Sequence, residues 1–143
     1  ADAAALLDAS GCVQDAGDAA VAVVTRGGVV VIPPFAASRP SIAASRLLQL
    51  LPTEIAEGLP DVCGVEQRPL PLSEALEARE VFLVSTLLGV MPVHAWDGVV
   101  FGDGEAGRTA LRARNMLFKD RQPCLGSTQH LGVPYGATTG QGL

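Results

Sequence analysis

Apolar residues along the first part of the chain fall in short runs closed by glycine, proline or aspartate. Residues 3–7 form one such run, and Asp8, Ala9, Ser10 and Gly11 follow it with turn chemistry, which predicts a short strand and a turn. Valine-rich runs at 21–25 and 29–32 flank Arg26-Gly27-Gly28, the pattern of a β-hairpin. Pro33-Pro34 ends the second strand, because proline has no N–H to give to a ladder. From Ser41 the spacing changes: Ile42, Leu47, Leu48, Leu50 and Leu51 recur at helical intervals. With Ser41 placed to cap and Pro52 near the end, a helix is predicted over residues 41–51.

Past a loop at 60–64, residues 65–68 read as a short strand before Pro69. Ser73 with Glu74 behind it predicts a short helix over 73–78, capped by Ser73. Residues 80–86 and 90–96 are strand-like on either side of Leu87-Leu88-Gly89, and Asp97-Gly98 is a two-residue turn into 99–101. Leu111, Met116, Leu117 and Phe118 mark a second long helix near 106–118. The predicted fold class is therefore α+β, a mixed, mostly antiparallel sheet flanked by helices. From Lys119 the periodicity is lost and glycines stand at 126, 132, 136, 140 and 142, so residues 119–143 read as a flexible or loosely docked extension.

At 143 residues, with 48% hydrophobic and 17% charged, the chain has the length and composition of one packed domain, which excludes bulk disorder. Its formal net charge is −5, and Arg26, Arg39, Arg46, Arg68 and Arg79 are scattered singly. No basic face is offered to a phosphate backbone, so nucleic acid is not an expected partner. The apolar runs at 29–32 and 87–93 are broken by glycine or proline well before the roughly 20 residues of a membrane-spanning helix, so no membrane partner is expected. Cys12, Cys63 and Cys124 are too few and too far apart for a disulfide framework, and lie far from a metal pattern with His94 and His130. A reducing cytoplasm is the expected home, in keeping with the want of a basic-then-apolar leader. The chain opens at Ala1 rather than methionine, which raises the expectation that it is a piece of something longer.

Motifs with chemistry are sparse. Neither G-x-S-x-G, H-E-x-x-H nor a P-loop is present. Gly102, Gly104 and Gly107 spell G-x-G-x-x-G, but a dinucleotide site needs a βαβ unit and an acidic residue about 20 positions on. Here the glycine-rich extension follows instead, and a structural reading is preferred. Taken one at a time, Ser85-Thr86 reads as a strand end, His94 as a hydrogen-bonded strand residue, and Asp15 and Asp18 as a solvated loop.

Their order says more than each alone. Asp8-x-x-Gly11-x-Val13-x-Asp15, then 21–24, Gly27-Gly28, Ile32-Pro33-Pro34, a helix from Ile42, Arg68-Pro69-Leu70, Glu80-Val81-Phe82-Leu83-x-Ser85-Thr86, Met91-Pro92-Val93 and Trp96-Asp97-Gly98 come in a particular succession. That succession resembles the C-terminal, cofactor-binding domain of the class IV pyridoxal-phosphate enzymes, the branched-chain and D-amino-acid aminotransferases and aminodeoxychorismate lyases. The wording of 87–93 leans toward the lyase branch. The resemblance implies a family-like domain at 1–118 with the tail at 119–143, and adds a partly closed barrel as the alternative to an open sheet.

The resemblance also implies pyridoxal 5′-phosphate as cofactor. Asp15 would pair with its ring nitrogen, where the family has the longer Glu. The backbone at Ile42 and Ala43, at the helix start, together with Ser85 and Thr86, would hold its phosphate. Ala43 and Ala44 stand where the family has a hydroxyl and an arginine, and Ala16 and Ala20 where it has Gly and Asn. No catalytic residue and no metal ligand is assigned, because the family's Schiff-base lysine lies upstream and Lys119 is the only lysine here. The chain is expected to be inactive on amino acids unless an N-terminal domain or second chain completes it. A homodimer is the expected assembly. The alternative is a degenerate, non-catalytic domain with a binding or structural role.

Overall fold

In this computed structural model, residues 3–35 and 40–122 are described. The centre of the sheet is β3 (Ala20–Val24), in which every residue is buried. An unbroken apolar strand is what a sheet covered on both faces requires. Along one edge β3 pairs antiparallel with β6 (Glu80–Ser85), Ala20 opposite Val84 and Val24 opposite Glu80. The outer neighbour of β6 is antiparallel β7 (Gly89–Val93), with Ser85 opposite Gly89.

The other edge of β3 is shared. Val23 and Val24 pair with β4 (Val29–Ile32), while Ala20 pairs with Asp15 of β2 (Val13–Asp15), which in turn pairs with β1 (Leu6–Leu7). The turn between β3 and β4 closes as the sequence predicts, with the Thr25 and Val29 backbones hydrogen-bonded at 2.9 Å. Gly28 adopts φ +84° there, and a Cβ would lie 2.7 Å from the Asp61 carbonyl oxygen, so this position requires glycine.

From β4 the chain passes through α1 (Ile42–Ala56) and returns as β5 (Gly64–Gln67), parallel to β4. A parallel neighbour needs such a crossover. β1, β5 and β7 end the three arms of an open sheet, so the partly closed barrel is not formed. The mixed, mostly antiparallel sheet with flanking helices is. β8 (Ala95–Trp96) and β9 (Val99–Val100) make a separate ribbon around Asp97-Gly98, both at positive φ, as a tight hairpin turn demands.

Two apolar clusters hold the layers. On one face Ala22, Val24, Ile32, Phe82 and Val84 meet Ala44, Leu47 and Leu51 of α1, and Ala110, Ala113 and Leu117 of α3 (Arg108–Asp120). On the other face Val21, Val23, Val31 and Val81 meet Val13, Leu70, Phe101 and Ala75, the last in α2 (Leu72–Leu76). Successive residues of β3 serve opposite clusters, the period of two that a strand imposes.

Several boundaries differ from the sequence reading, β1 among them, which takes only Leu6–Leu7 of the run at 3–7. α1 runs through Pro52 to Ala56. Its stop is a glycine motif: Gly58 has φ +102°, its N–H bonds Ile55 O, and the Leu59 N–H bonds Glu54 O at 3.0 Å. Leu59 then packs into the core, so burial rather than Pro52 sets the end. α2 starts at Leu72 behind Pro71, which gives no side-chain cap, and Ser73 sits inside the first turn. β7 ends at Val93; His94 is exposed outside any strand, its carbonyl accepting the Phe101 N–H. α3 includes Lys119 and Asp120, where the sequence reading begins the tail, and residues 123–143 lie outside the described residues.

The end of β5 is tied to α2 by charge. The Arg68 guanidinium forks onto Glu74 at 3.0 and 2.6 Å, and its Nε donates to Glu66 at 2.8 Å. The hydrogen bond from Arg68 holds the Glu74 carboxyl below its ordinary value of 4.5. A carboxyl depressed in the folded state stabilises above its unfolded value, and that contribution is lost as pH falls through the folded one. Stability of the wild type is therefore expected to fall more steeply than that of Glu74→Gln on acidification below about pH 4.5. Urea midpoints across that range check it; parallel curves would remove the ion pair from the account.

Candidate functional site

The pairing registers bring the predicted residues to one end of the sheet. Ala20 faces Asp15 on one side and Val84 on the other, so the end of β2, the start of β3 and the end of β6 meet there. β4 is antiparallel to β3 and leaves the sheet at this same end. Since the chain re-enters as β5 with Gly64 opposite Val29, α1 must begin at the Asp15 end and run back along the sheet. Asp15, Ile42, Ala43, Ser85 and Thr86 thus share one end.

Each is held differently. Asp15 is a strand residue and half-buried, not a solvated loop residue, and its Oδ1 accepts the Gly17 N–H at 3.1 Å. Asp18 lies in the exposed turn beyond it. β2 is positioned by Asp8, whose carboxylate accepts from Ser10 Oγ (2.6 Å), Ser10 N (2.8 Å), Cys12 N (3.0 Å) and Gln14 Nε2 (3.0 Å). The Ser10 hydroxyl is the main reason that the Asp8 carboxyl lies below its usual range.

At the start of α1, Ser41 Oγ accepts the Ala44 N–H (3.2 Å) and Ser41 O accepts the Ser45 N–H (2.9 Å). The Ile42 and Ala43 N–H groups have no carbonyl within the helix, as for any first turn, and no acidic side chain sits in that turn. Such a terminus attracts an anion. Ile42 is 77% exposed, whereas Ala43 and Ala44 are buried in the core, so these alanines face the sheet and offer only backbone. Ser85 is buried too, and its Oγ accepts the Leu87 and Leu88 N–H groups at 3.2 and 3.5 Å. Ser85 thereby shapes the turn, and Thr86 is exposed on it beside Leu87 and Leu88.

The opposite end of β6 explains the glycine motif. Glu80 Oε1 accepts from Thr109 N (3.2 Å) and Thr109 Oγ1 (3.0 Å), and Oε2 accepts from Ala110 N (3.1 Å). A carboxylate from the protein occupies the start of α3, where a nucleotide phosphate would have to sit, and a Cβ on Gly107 would fall on it. Gly107 therefore serves packing, and Gly102 and Gly104 serve a turn at φ +58° and +85°. Sequence reasoning missed Glu80 as an anchor, because its partners lie 29 and 30 residues away and carry no local signal.

A groove of about 370 Å³ between α1 and α3 is lined by Leu50, Glu54, Arg112, Met116 and Lys119. None of the candidate cofactor residues lines it, and Lys119 is placed there. Among the described residues no His, Cys, Asp and Glu side chains gather into a metal-binding group of three, and no helix is long and apolar enough to cross a membrane.

Residues 1–96 match the family described as amino-transferase class IV. A probable branched-chain-amino-acid aminotransferase of Aquifex aeolicus (strain VF5) is 29% identical over 117 residues, which is 82% of this chain and 36% of that protein. The solved branched-chain amino acid aminotransferase of Escherichia coli superposes with a TM-score of 0.70 at 26% identity, covering 81% of this chain and 37% of that one. The branched-chain amino acid aminotransferase from T.th., solved with pyridoxamine 5′-phosphate, gives 0.69 at 28% identity, covering 83% and 37%. The chain thus spans little more than a third of the length of these relatives.

Proposed function

The chain belongs to the class IV amino-transferases, and from that premise we propose that it is the cofactor-binding part of an enzyme that moves amino groups on and off amino acids. The observation that carries this reading is the convergence of Asp15, the first turn of α1 and Thr86 at one end of the sheet. The donor set fits pyridoxal 5′-phosphate in two of its three parts. Amide donors of Ile42 and Ala43 and the Thr86 hydroxyl suit the phosphate, and the half-buried Asp15 carboxylate suits a protonated ring nitrogen. The third part, a lysine for covalent attachment, does not join these donors: Lys119 sits in the last turn of α3 and lines the α1–α3 groove.

When bound, the cofactor supplies an electron sink for the substrate α-carbon. The residues here have narrower tasks. Asp15 holds the proton on the ring nitrogen, Ile42 and Ala43 orient the phosphate through their N–H groups, Thr86 donates its hydroxyl, and Ser85 fixes the turn that presents Thr86. Proton transfer at the α-carbon falls to a lysine supplied from outside this chain, by a preceding domain or a second chain. Without it the chain is inactive. A cytoplasmic homodimer completes the proposal. The burial of Ala43 and Ala44 in the core favours one second reading, a non-catalytic relative whose helix start has been given over to packing.

Cofactor titration of the purified protein, followed by absorbance, tests the choice. The wild type is expected to bind pyridoxal 5′-phosphate, and Asp15→Asn to bind it about 10- to 100-fold more weakly, the cost of losing a charge-assisted hydrogen bond. A wild type that takes up no cofactor, even with the rest of the enzyme supplied in trans, supports the non-catalytic reading.

A further inference from the structure

The C-terminal end of α3 brings a cation to the same end of the sheet. α3 has 13 residues and rises about 20 Å, and β6 has 6 residues and extends about 20 Å. Glu80 at the start of β6 binds the first turn of α3, so helix and strand start together and, being of equal length, end together. At the far end the Arg121 Nη2 donates to the Ser85 carbonyl at 3.5 Å, next to Thr86. A second contact fixes the same end. Arg46, in the second turn of α1, forks onto Asp120, with Nε to Oδ2 at 2.8 Å and Nη2 to Oδ1 at 2.7 Å. Arg121 therefore follows the residue clamped to the start of α1, and its guanidinium touches the residue that precedes Thr86.

We propose that Arg121 is an anion-binding residue of this site and that it contacts the phosphate of the cofactor. The inference rests on the cofactor reading above. It answers a deficit in the donor set. Ala43 and Ala44 give the α1 start no cation of its own, and they are buried in the core, where an arginine has no room. An exposed guanidinium, held loosely through one nitrogen on Ser85 O, keeps donors available for a phosphate. Its place at the end of α3 is favoured by the helix dipole, so the side chain needs no other partner to be held there.

The test is a titration of the protein with pyridoxal 5′-phosphate and with pyridoxal, which lacks the phosphate, for wild type, Arg121→Gln and Arg121→Lys. Arg121→Gln is expected to weaken pyridoxal 5′-phosphate about 10- to 100-fold and to leave pyridoxal unchanged. Arg121→Lys, with the charge but not the fork, falls between. Equal losses for both compounds would show that Arg121 only holds the Ser85 turn, and unchanged affinities that it touches nothing bound; either overturns the inference while leaving the cofactor reading intact. A wild type that binds neither compound overturns both. Thermal unfolding of the variants, expected to match the wild type for an exposed helix-end residue, separates contact from misfolding.

Discussion

Phe82→Ala is expected to destabilise the protein by about 4 kcal/mol, within the range for emptying a buried aromatic position. Phe82 is fully buried, the largest of the side chains with no exposure among the described residues. In the sheet its neighbours are Ala22 and Pro92. The helix residues of its cluster include Ala43, Ala44, Ala110 and Ala113. Those alanines have no length with which to fill a void, so on their side the cavity stays open and its lining loses contacts outright, whatever Leu47, Leu51 and Leu117 of the same cluster fill. Aromatic residues are only 4% of the chain, so this one ring supplies much of the bulk between sheet and helices. Urea unfolding at neutral pH checks the value, with Phe82→Leu, expected at about 1 kcal/mol, as the volume-conserving control. A loss below about 1 kcal/mol for the alanine variant would mean that the helices settle onto the sheet, and the layer contact would have to be redrawn.

What was legible in the sequence was whatever depends on near neighbours. The β3–β4 hairpin follows from two valine runs around Gly27-Gly28, and the β8–β9 ribbon from Asp97-Gly98. The start of α1 is announced by Ser41, and α3 by its leucines and Met116. The order of these pieces also led to the family, and the five residues named for the cofactor fall at one end of the sheet. Contacts between distant segments were not legible. β2 has three residues and takes its strand character from Leu70, whose carbonyl accepts the Val13 N–H, and from the Asp15–Ala20 pairing. Pro52 reads as a stop, yet the helix continues until Gly58 and the burial of Leu59 end it. Glu80, Arg46, Asp120 and Arg121 act across gaps of 29 to 74 residues, at which sequence spacing carries no information.

The Glu80 anchor gives the second large effect. Glu80→Ala is expected to cost about 3 kcal/mol, since it removes acceptors from two backbone N–H groups and one hydroxyl at the start of α3. Thr109, whose hydroxyl is among these donors, is buried, so water is poorly placed to replace the carboxylate. Gly107→Ala is expected to cost a comparable amount for the same reason from the other side. The new Cβ would fall on the Glu80 side chain, which can make room only by giving up those hydrogen bonds. The backbone itself is no obstacle, as Gly107 has φ −65°. The two substitutions therefore remove one interaction, and the double variant is expected to be no less stable than Glu80→Ala, a coupling of about 3 kcal/mol in a double-mutant cycle. Additive losses would show that the glycine is needed for something other than the carboxylate. The far end of α3 keeps its own anchor in the Arg46–Asp120 fork, so releasing Glu80 frees the first turn and not the last. Amide exchange in Glu80→Ala is expected to quicken in the first turn of α3 and to stay slow at its far end; loss of protection along the whole helix would show that the Arg46–Asp120 fork does not hold that end by itself.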